Sequence, residues 1–189
     1  MTTPALPTMP AEPRVTWGQT VLTLASTAGL FLVGGTVCAA VWAAVVDPPT
    51  YPGTLPMFAG RAVPDAQGMY RTFNVDATFL LVALVGALAL GIACGAIFRR
   101  YGVLTVLAVL LGSALGYLTM RHFGMGLGPE ALVAQARGAG AQTTLLGPLR
   151  VQATGVYFAW PIGALVGAMA SLWAFAPAAK ALPGGRVVR

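Results

Sequence analysis

Four long segments without a charged side chain set the strongest limit on how this chain can fold. An α-helix needs about 20 apolar residues to cross the hydrocarbon core of a bilayer, and each segment reaches that length. Each segment therefore predicts a transmembrane helix. The predicted spans cover residues 21–46, 77–98, 101–120 and 153–176.

The composition indicates that lipid is the main solvent of the chain. Of the 189 residues, 57% are hydrophobic and 8% are charged, and the mean hydropathy is +0.78. Soluble domains carry about 25% charged residues, so this chain cannot build the polar surface that a soluble fold of its length requires. The sequence predicts an all-α integral membrane protein without a soluble globular domain.

The polar segments predict the remaining organisation. Residues 1–16 and 180–189 are expected to be cytoplasmic tails of a four-helix transmembrane domain at 17–179. The loops 47–75 and 121–150 are too long for simple turns and are expected to form a small extracytoplasmic cap. The first span is longer than the apolar region of a signal peptide, which has about 7 to 15 residues, and is interpreted as a retained anchor.

Positive charge predicts which side of the membrane each loop faces. Cytoplasmic loops carry an excess of Lys and Arg, and short loops follow this rule more strictly than long ones. The short turn that contains Arg99 and Arg100 therefore predicts that both termini lie in the cytoplasm. Aromatic residues near the span ends, such as Trp17, Trp42 and Tyr101, are typical of the belts that form at membrane surfaces.

Small residues recur at every fourth position on three of the predicted helices. Inside lipid, helices associate by close packing at such residues rather than through the hydrophobic effect. Packing among the protein's own helices is favoured, and one stripe left over for another membrane protein stays open as the alternative. The stripes are Ala83, Ala87, Gly91 and Gly95; Ala108, Gly112 and Gly116; and Gly163, Gly167 and Ser171.

Ionisable side chains are missing from the middle of every predicted span. Proton-coupled transporters, voltage sensors and intramembrane proteases usually need such groups, so the sequence argues against these classes. Cys38 and Cys94 fall towards different ends of their spans and are not expected to form a disulfide. Only one histidine is present, His122, and neither a metal nor a cofactor is predicted.

Candidate functional positions lie where the predicted spans meet the outer loops. Asp76 begins the second span, where a helix cap is favoured over a catalytic acid. Arg121 and His122 end the third span and are favoured as interfacial anchors. Trp160 and Pro161 lie in the fourth span, where the proline is expected to produce a kink. No catalytic residue is assigned.

Two local structures are predicted within the cap. Pro129 occupies a plausible first helical position, which favours a short helix over residues 129–137. The apolar residues within 144–154 favour an extended segment that pairs with the stretch 57–63.

Several of these features occur together between residues 74 and 170. The segments are NVDATFLLVALVGALALG, FRRYG, VLTVLAVLLGSALGY and GPLRVQATGVYFAWPIGALVGA. An aspartate that opens a glycine-rich span, an arginine turn and a strand-like segment before a Trp-Pro helix resemble a family of uncharacterised actinobacterial four-span membrane proteins, a domain of unknown function. Asp76, Arg99, Arg100, Trp160 and Pro161 carry the match. The resemblance implies an actinobacterial plasma membrane and no particular activity.

The sequence favours a non-enzymatic accessory or scaffold component of a membrane or envelope complex. This hypothesis rests on the missing catalytic groups, the small-residue faces and the cap. The alternative is a lipid- or small-solute-handling membrane protein whose outer arginines meet anionic headgroups. A membrane enzyme that uses groups of the cap is least favoured. Nucleic-acid binding is not expected from the net charge of +6, because the basic residues lie at span ends, next to lipid headgroups.

Overall fold

The computed structural model describes residues 16–54, 57–58, 61–137, 140 and 143–175. Four helical stretches in this part of the chain are long and apolar enough to cross a membrane. The all-α, four-span membrane fold predicted from the sequence is therefore confirmed. The predicted cytoplasmic tails lie outside the described residues, apart from Thr16.

The helices and strands follow one another in a simple order. The helices are α1 (Trp17–Val45), α2 (Ala66–Ile97), α3 (Val103–Gly126), the short α4 (Leu132–Ala136) and α5 (Ala159–Ala174). A 3-10 turn at Arg99–Tyr101 joins α2 to α3, and a 3-10 helix at Thr154–Phe158 leads into α5. Four short strands lie in the connections: β1 (Thr50–Pro52), β2 (Met57–Phe58), β3 (Arg61–Ala62) and β4 (Thr144–Leu146).

Two helices extend well beyond the limits predicted for their spans. Helix α2 begins at Ala66 rather than at residue 77, and α3 continues to Gly126 rather than ending at residue 120. With 32 residues, α2 is about 48 Å long, which exceeds the roughly 30 Å hydrocarbon core. The charged side chains therefore mark where a helix leaves the hydrocarbon and not where the helix ends.

The small-residue stripes hold the helices together in two pairs. Helix α2 packs along α5, and α1 packs along α3. A Cβ atom added to Gly91 would overlap the backbone carbonyl oxygen of Ala164, and one added to Gly116 would lie 2.7 Å from the Trp160 ring. The residues of all three stripes are buried within the described structure. The prediction of internal packing is confirmed, and none of the three stripes stays free for a partner.

The two helices of each pair run in the same direction. Gly163 lies beside Leu84, and Gly95 lies beside Ser171, so α2 and α5 are parallel. The same order relates α1 to α3. The short turn between α2 and α3 is closed by Gly102 in a left-handed conformation, with φ 51°, and by the Thr105 hydroxyl, which donates to the Phe98 carbonyl at 2.6 Å. We call this the turn end of the bundle and the opposite side the cap end.

The cap consists of the described residues in 46–65 and 127–153, and its strand pairing differs from the prediction. Strand β4 pairs antiparallel with β1, where Thr50 lies opposite Leu146, and β2 pairs with β3. The expected pairing of 144–154 with 57–63 is therefore wrong. The chain leaves α1 already extended, so β1 is in place for β4, whereas 57–58 folds back on its own neighbours.

The short cap helix also differs from its predicted limits. It covers Leu132–Ala136 rather than 129–137. The Gln135 side chain donates to the Leu146 carbonyl at 2.7 Å and accepts from the Leu146 N–H at 3.1 Å. The Gln135 amide thus pairs with both backbone groups of Leu146, as a residue of a neighbouring strand would. This pairing fixes α4 to β4.

Asp65 caps the amino terminus of α2, a role that the sequence analysis gave to Asp76. Its carboxylate accepts hydrogen bonds from the Gly68 N–H at 2.6 Å and the Thr50 hydroxyl at 2.8 Å. These bonds, led by the one from Gly68 and helped by the charge of Arg71, lower the pKa of Asp65. Asp65 therefore connects β1 to the start of α2.

The α2–α5 contact predicts a difference between two glycine substitutions. Gly91→Ala should destabilise the protein by about 1–3 kcal/mol, because the new methyl group forces backbone apart. Gly29→Ala is the matched control, since nothing lies within 4 Å of a Cβ atom at Gly29. Thermal unfolding in mild detergent measures both. Equal melting temperatures would contradict the close approach.

The Asp65 cap predicts an acid-dependent loss of stability. Because its pKa is lowered in the folded protein, Asp65 stabilises the fold above its unfolded pKa of about 3.9, and this contribution is lost as the pH falls through the folded pKa. Asn caps helices without titrating in this range. Asp65→Asn should therefore lose less thermal stability than the wild type on acidification below about pH 4. An identical acid profile for both proteins would rule out this role.

Candidate functional site

Asp76 braces the cap instead of beginning a helix. It lies well inside α2, and its two carboxylate oxygens accept from the backbone N–H groups of Gln152 at 2.9 Å and Ala153 at 3.0 Å. These two residues precede the 3-10 helix at Thr154–Phe158, so their N–H groups lie outside it. Asp76 therefore does not cap the start of α2, as predicted, but ties the segment before this 3-10 helix to α2.

Trp160 is a core residue, and Pro161 lies where a proline disturbs little. Trp160 is fully buried, and its indole N–H donates to the Met120 sulfur at 3.3 Å. Pro161 falls in the first turn of α5, where an N–H would have no partner within the α-helix. The backbone changes from 3-10 to α geometry just before the proline, and the predicted kink stays a prediction.

Arg121 and His122 point to different surroundings. Both lie inside α3, which continues beyond them to Gly126, and their role as interfacial anchors stays a prediction. His122 is exposed, and its ring meets Phe123 edge-on at 5.7 Å. Arg121 is half-buried, and its guanidinium carbon lies 5.8 Å from the centroid of the Tyr157 ring. Only Arg121 of these two lines the cavity described next.

A cleft of about 1220 Å³ opens at the cap end of the bundle. Its walls come from the first turns of α2, the last turns of α3, the start of α4 and the segment before the second 3-10 helix. Asp76 does not line it directly, but it holds Gln152, which does. The lining residues are Tyr51, Ala62, Pro64, Met69, Thr72, Arg121, Met125, Ala131, Leu132, Pro148, Leu149, Arg150, Val151 and Gln152.

The lining combines an apolar wall with positive charge. Met69, Met125 and Leu132 are among its apolar members, and Arg121 and Arg150 are its only charged side chains among the described residues. The Nε atom of Arg121 is buried and has no hydrogen-bond partner in the described structure. An arginine stays protonated at all ordinary pH values. The cleft therefore carries net positive charge next to an apolar surface.

A row of packed aromatic rings lies on the bundle side of Arg121. Tyr157 contacts Tyr117 at a centroid distance of 5.4 Å, Tyr117 lies 6.4 Å from Phe79, and Phe79 lies 5.1 Å from Trp42. The Tyr117 hydroxyl is also buried without a partner, one helical turn before Arg121. These rings pack against one another beside Arg121, and none of them lines the cleft.

Sequence reasoning identified Arg121 but missed the rest of the cleft. Met69 with Thr72, and Arg121 with Met125, are spaced so that each pair shares one helix face. No sequence signal indicates that these two faces meet each other and the segment 148–152. Within the described ranges, no group of His, Cys, Asp and Glu is arranged to hold a metal ion, and Cys38 and Cys94 are free and buried.

Comparison with known proteins adds no identification. No protein-family model, no curated protein and no solved structure matches the chain. The resemblance to the actinobacterial family stays a prediction, and the function of the cleft has to follow from its own geometry.

The Asp76 brace predicts local protection from solvent. Asp76→Asn keeps the shape of the side chain but turns one acceptor into a donor that faces an N–H group. Because a hydrogen bond to a charged group stabilises by about 1.5–3 kcal/mol, the Gln152 and Ala153 amides should exchange at least about tenfold faster in the variant. Hydrogen exchange resolved to this segment measures the change. Asp47→Asn, at an exposed position, is the control, and equal exchange in both variants would contradict the brace.

Proposed function

We propose that the protein is a non-enzymatic membrane protein that binds a membrane amphiphile in the cleft at the cap end. The observation that carries the proposal is the lining of the cleft, which joins an apolar wall to two arginines. An amphiphile has the matching construction, with an apolar part for the wall and a polar part for the charged side.

The size and position of the cleft support this class of ligand. Sites for drug-sized molecules occupy about 300–1000 Å³, and this cleft, at about 1220 Å³, is larger. It lies where α2 and α3 extend beyond the length that a hydrocarbon core accommodates, which is the level of lipid headgroups.

The side chains near the cleft support binding rather than catalysis. Asp76 is committed to two backbone N–H groups and is not free to act as a general base. His122 is exposed and does not line the cleft. A general acid or base has to reach the reacting group directly or through one water molecule.

The proposal places the bundle in the plasma membrane, with both termini in the cytoplasm and the cap outside. The support is the positive charge of Arg99 and Arg100 at the short turn end. An actinobacterial source belongs to the same proposal and is supported by the resemblance of the segments between residues 74 and 170.

A second candidate function is an accessory or scaffold component of a membrane or envelope complex. The braced cap favours it. Strand pairing joins β1 to β4, Gln135 fixes α4 to Leu146, and Asp76 fixes the segment before α5. A cap with a fixed shape suits docking of another protein, because little order has to be gained on binding. Since the small-residue stripes are covered, the partner would contact the cap or the lipid-facing side chains.

Filling the cleft tests the proposed function. Leu132→Trp places a large ring in the cleft, whereas Val133→Trp places it on the exposed side of the same helix. Native mass spectrometry of protein extracted from its own membranes in mild detergent should show a retained lipid in the wild type and in Val133→Trp. Leu132→Trp should retain about tenfold less, the effect of losing one well-packed contact of about 1.4 kcal/mol.

Two results would overturn lipid binding. Equal retention by both tryptophan variants would place the lipid elsewhere on the bundle. A wild-type protein that carries no lipid but co-purifies with a defined protein at fixed stoichiometry would replace lipid binding with the accessory function.

A further inference from the structure

We infer that the cleft selects a phospholipid with an anionic headgroup and that Arg121 is the residue that binds the headgroup phosphate. This inference rests on the proposed function, since it names the class of amphiphile and the residue that recognises it. The apolar wall alone would also accept zwitterionic or neutral lipids. Selection of an anionic headgroup therefore goes beyond the proposed binding of an amphiphile.

Charge is the first argument. The two charged side chains among the described lining residues are both arginines, and the lining includes no acidic side chain to neutralise them. A half-buried cation is stabilised by an opposite charge, and at headgroup level the available anion is a lipid phosphate. A neutral ligand would leave this charge without compensation.

The guanidinium geometry of Arg121 is the second argument. Its Nε atom is buried and the Tyr117 hydroxyl lies beside this guanidinium, so Nε is not open to a ligand. The terminal Nη–H groups of a guanidinium lie in one plane, and this fork matches two oxygens of a phosphate. A phosphate in the cleft would accept from these terminal N–H groups.

The position of the guanidinium is the third argument. Arg121 lies against the Tyr157 ring at 5.8 Å, and Tyr157 is packed on Tyr117. A side chain held by packed rings loses less conformational freedom on binding than a free surface arginine. Arg121 therefore presents its fork in a fixed place at the base of the cleft.

The two arginines differ in their surroundings, so they differ in role. Arg150 is exposed, and its attraction for an anion is screened by salt. Arg150 raises the local concentration of anionic lipid but does not hold the phosphate in a fixed geometry. Met69 and Met125 lie on the facing helices, and their flexible side chains adapt to acyl chains of varied shape.

Lipid selection in nanodiscs tests the inference. The protein is incorporated into a mixture of phosphatidylglycerol and phosphatidylcholine with identical acyl chains, released into detergent and weighed by native mass spectrometry. Both lipids carry the same phosphate, so the preference measures the net charge of the headgroup. The wild type should retain phosphatidylglycerol over phosphatidylcholine by about tenfold, because the choline cation meets two arginines and no acidic side chain in the described lining. Arg121→Gln should still retain lipid but lose the preference, and Arg150→Gln should keep most of it.

A second variant separates recognition from charge. Arg121→Lys keeps the positive charge but removes the planar fork, so it should keep the preference for phosphatidylglycerol and retain less of either lipid than the wild type. Melting temperatures of all variants in lipid-free detergent show whether they are folded. If Arg121→Gln does not fold, the comparison of wild type, Arg121→Lys and Arg150→Gln still decides the assignment.

The outcomes separate the inference from the proposed function. Retention of both lipids without preference would overturn the anionic selection and leave lipid binding intact, whereas no retained lipid would overturn both. Equal loss of preference in Arg121→Gln and Arg150→Gln would overturn the assignment to Arg121. Inorganic phosphate that stabilises the wild type as strongly as phosphatidylglycerol does would identify a free anion, and not a lipid, as the ligand.

Discussion

The close approach of α2 and α5 is the contact on which the rest of the structure depends. In lipid, the hydrophobic effect does not favour one helix arrangement over another, so van der Waals contact between backbones has to supply the attraction. Gly91 and Gly167 lie so near the facing backbone that a single methyl group would not fit. Their position fixes the register of the two helices. The start of α2 and the segment before α5 are thereby brought together, and the cleft forms between them and α3.

Polar contacts then set the shape of the cap. Asp76 reaches from α2 to the backbone before the second 3-10 helix, and Asp65 ties β1 to the start of α2. Both carboxylates accept hydrogen bonds from backbone N–H groups, Asp65 in the first turn of α2 and Asp76 just before the second 3-10 helix. These two carboxylates are thus occupied by structure, and neither lines the cleft. The positive charge of Arg121 and Arg150 is left for a ligand, which explains how a chain with few charged residues can still have a charged site.

The sequence predicts the four helices and their packing because both depend on local patterns. Apolar length and the spacing of Gly and Ala are visible in the order of residues alone. Helices α2 and α3 extend beyond the spans predicted from charge, because a charged side chain does not end a helix. Asp76 was expected to accept from nearby backbone N–H groups. Its partner Gln152 lies 76 residues further along the chain, and no local pattern indicates it. The cleft was not predictable, since its walls come from segments that share no sequence signal.

The parallel pairing of the helices has a consequence for how the protein is made. Helices enter a membrane in the order of synthesis, and α1 meets its main partner α3 only after α2 has been inserted. Helix α2 is separated from its partner α5 in the sequence by α3 and the cap segment, so α5 is inserted later. The buried face of α2, from Ala83 to Gly95, therefore faces lipid or a helper protein until the last helix arrives. The small-residue face of α2 is covered only when α5 is inserted. A chain released before α5 would leave this face open to contact with other helices in the membrane.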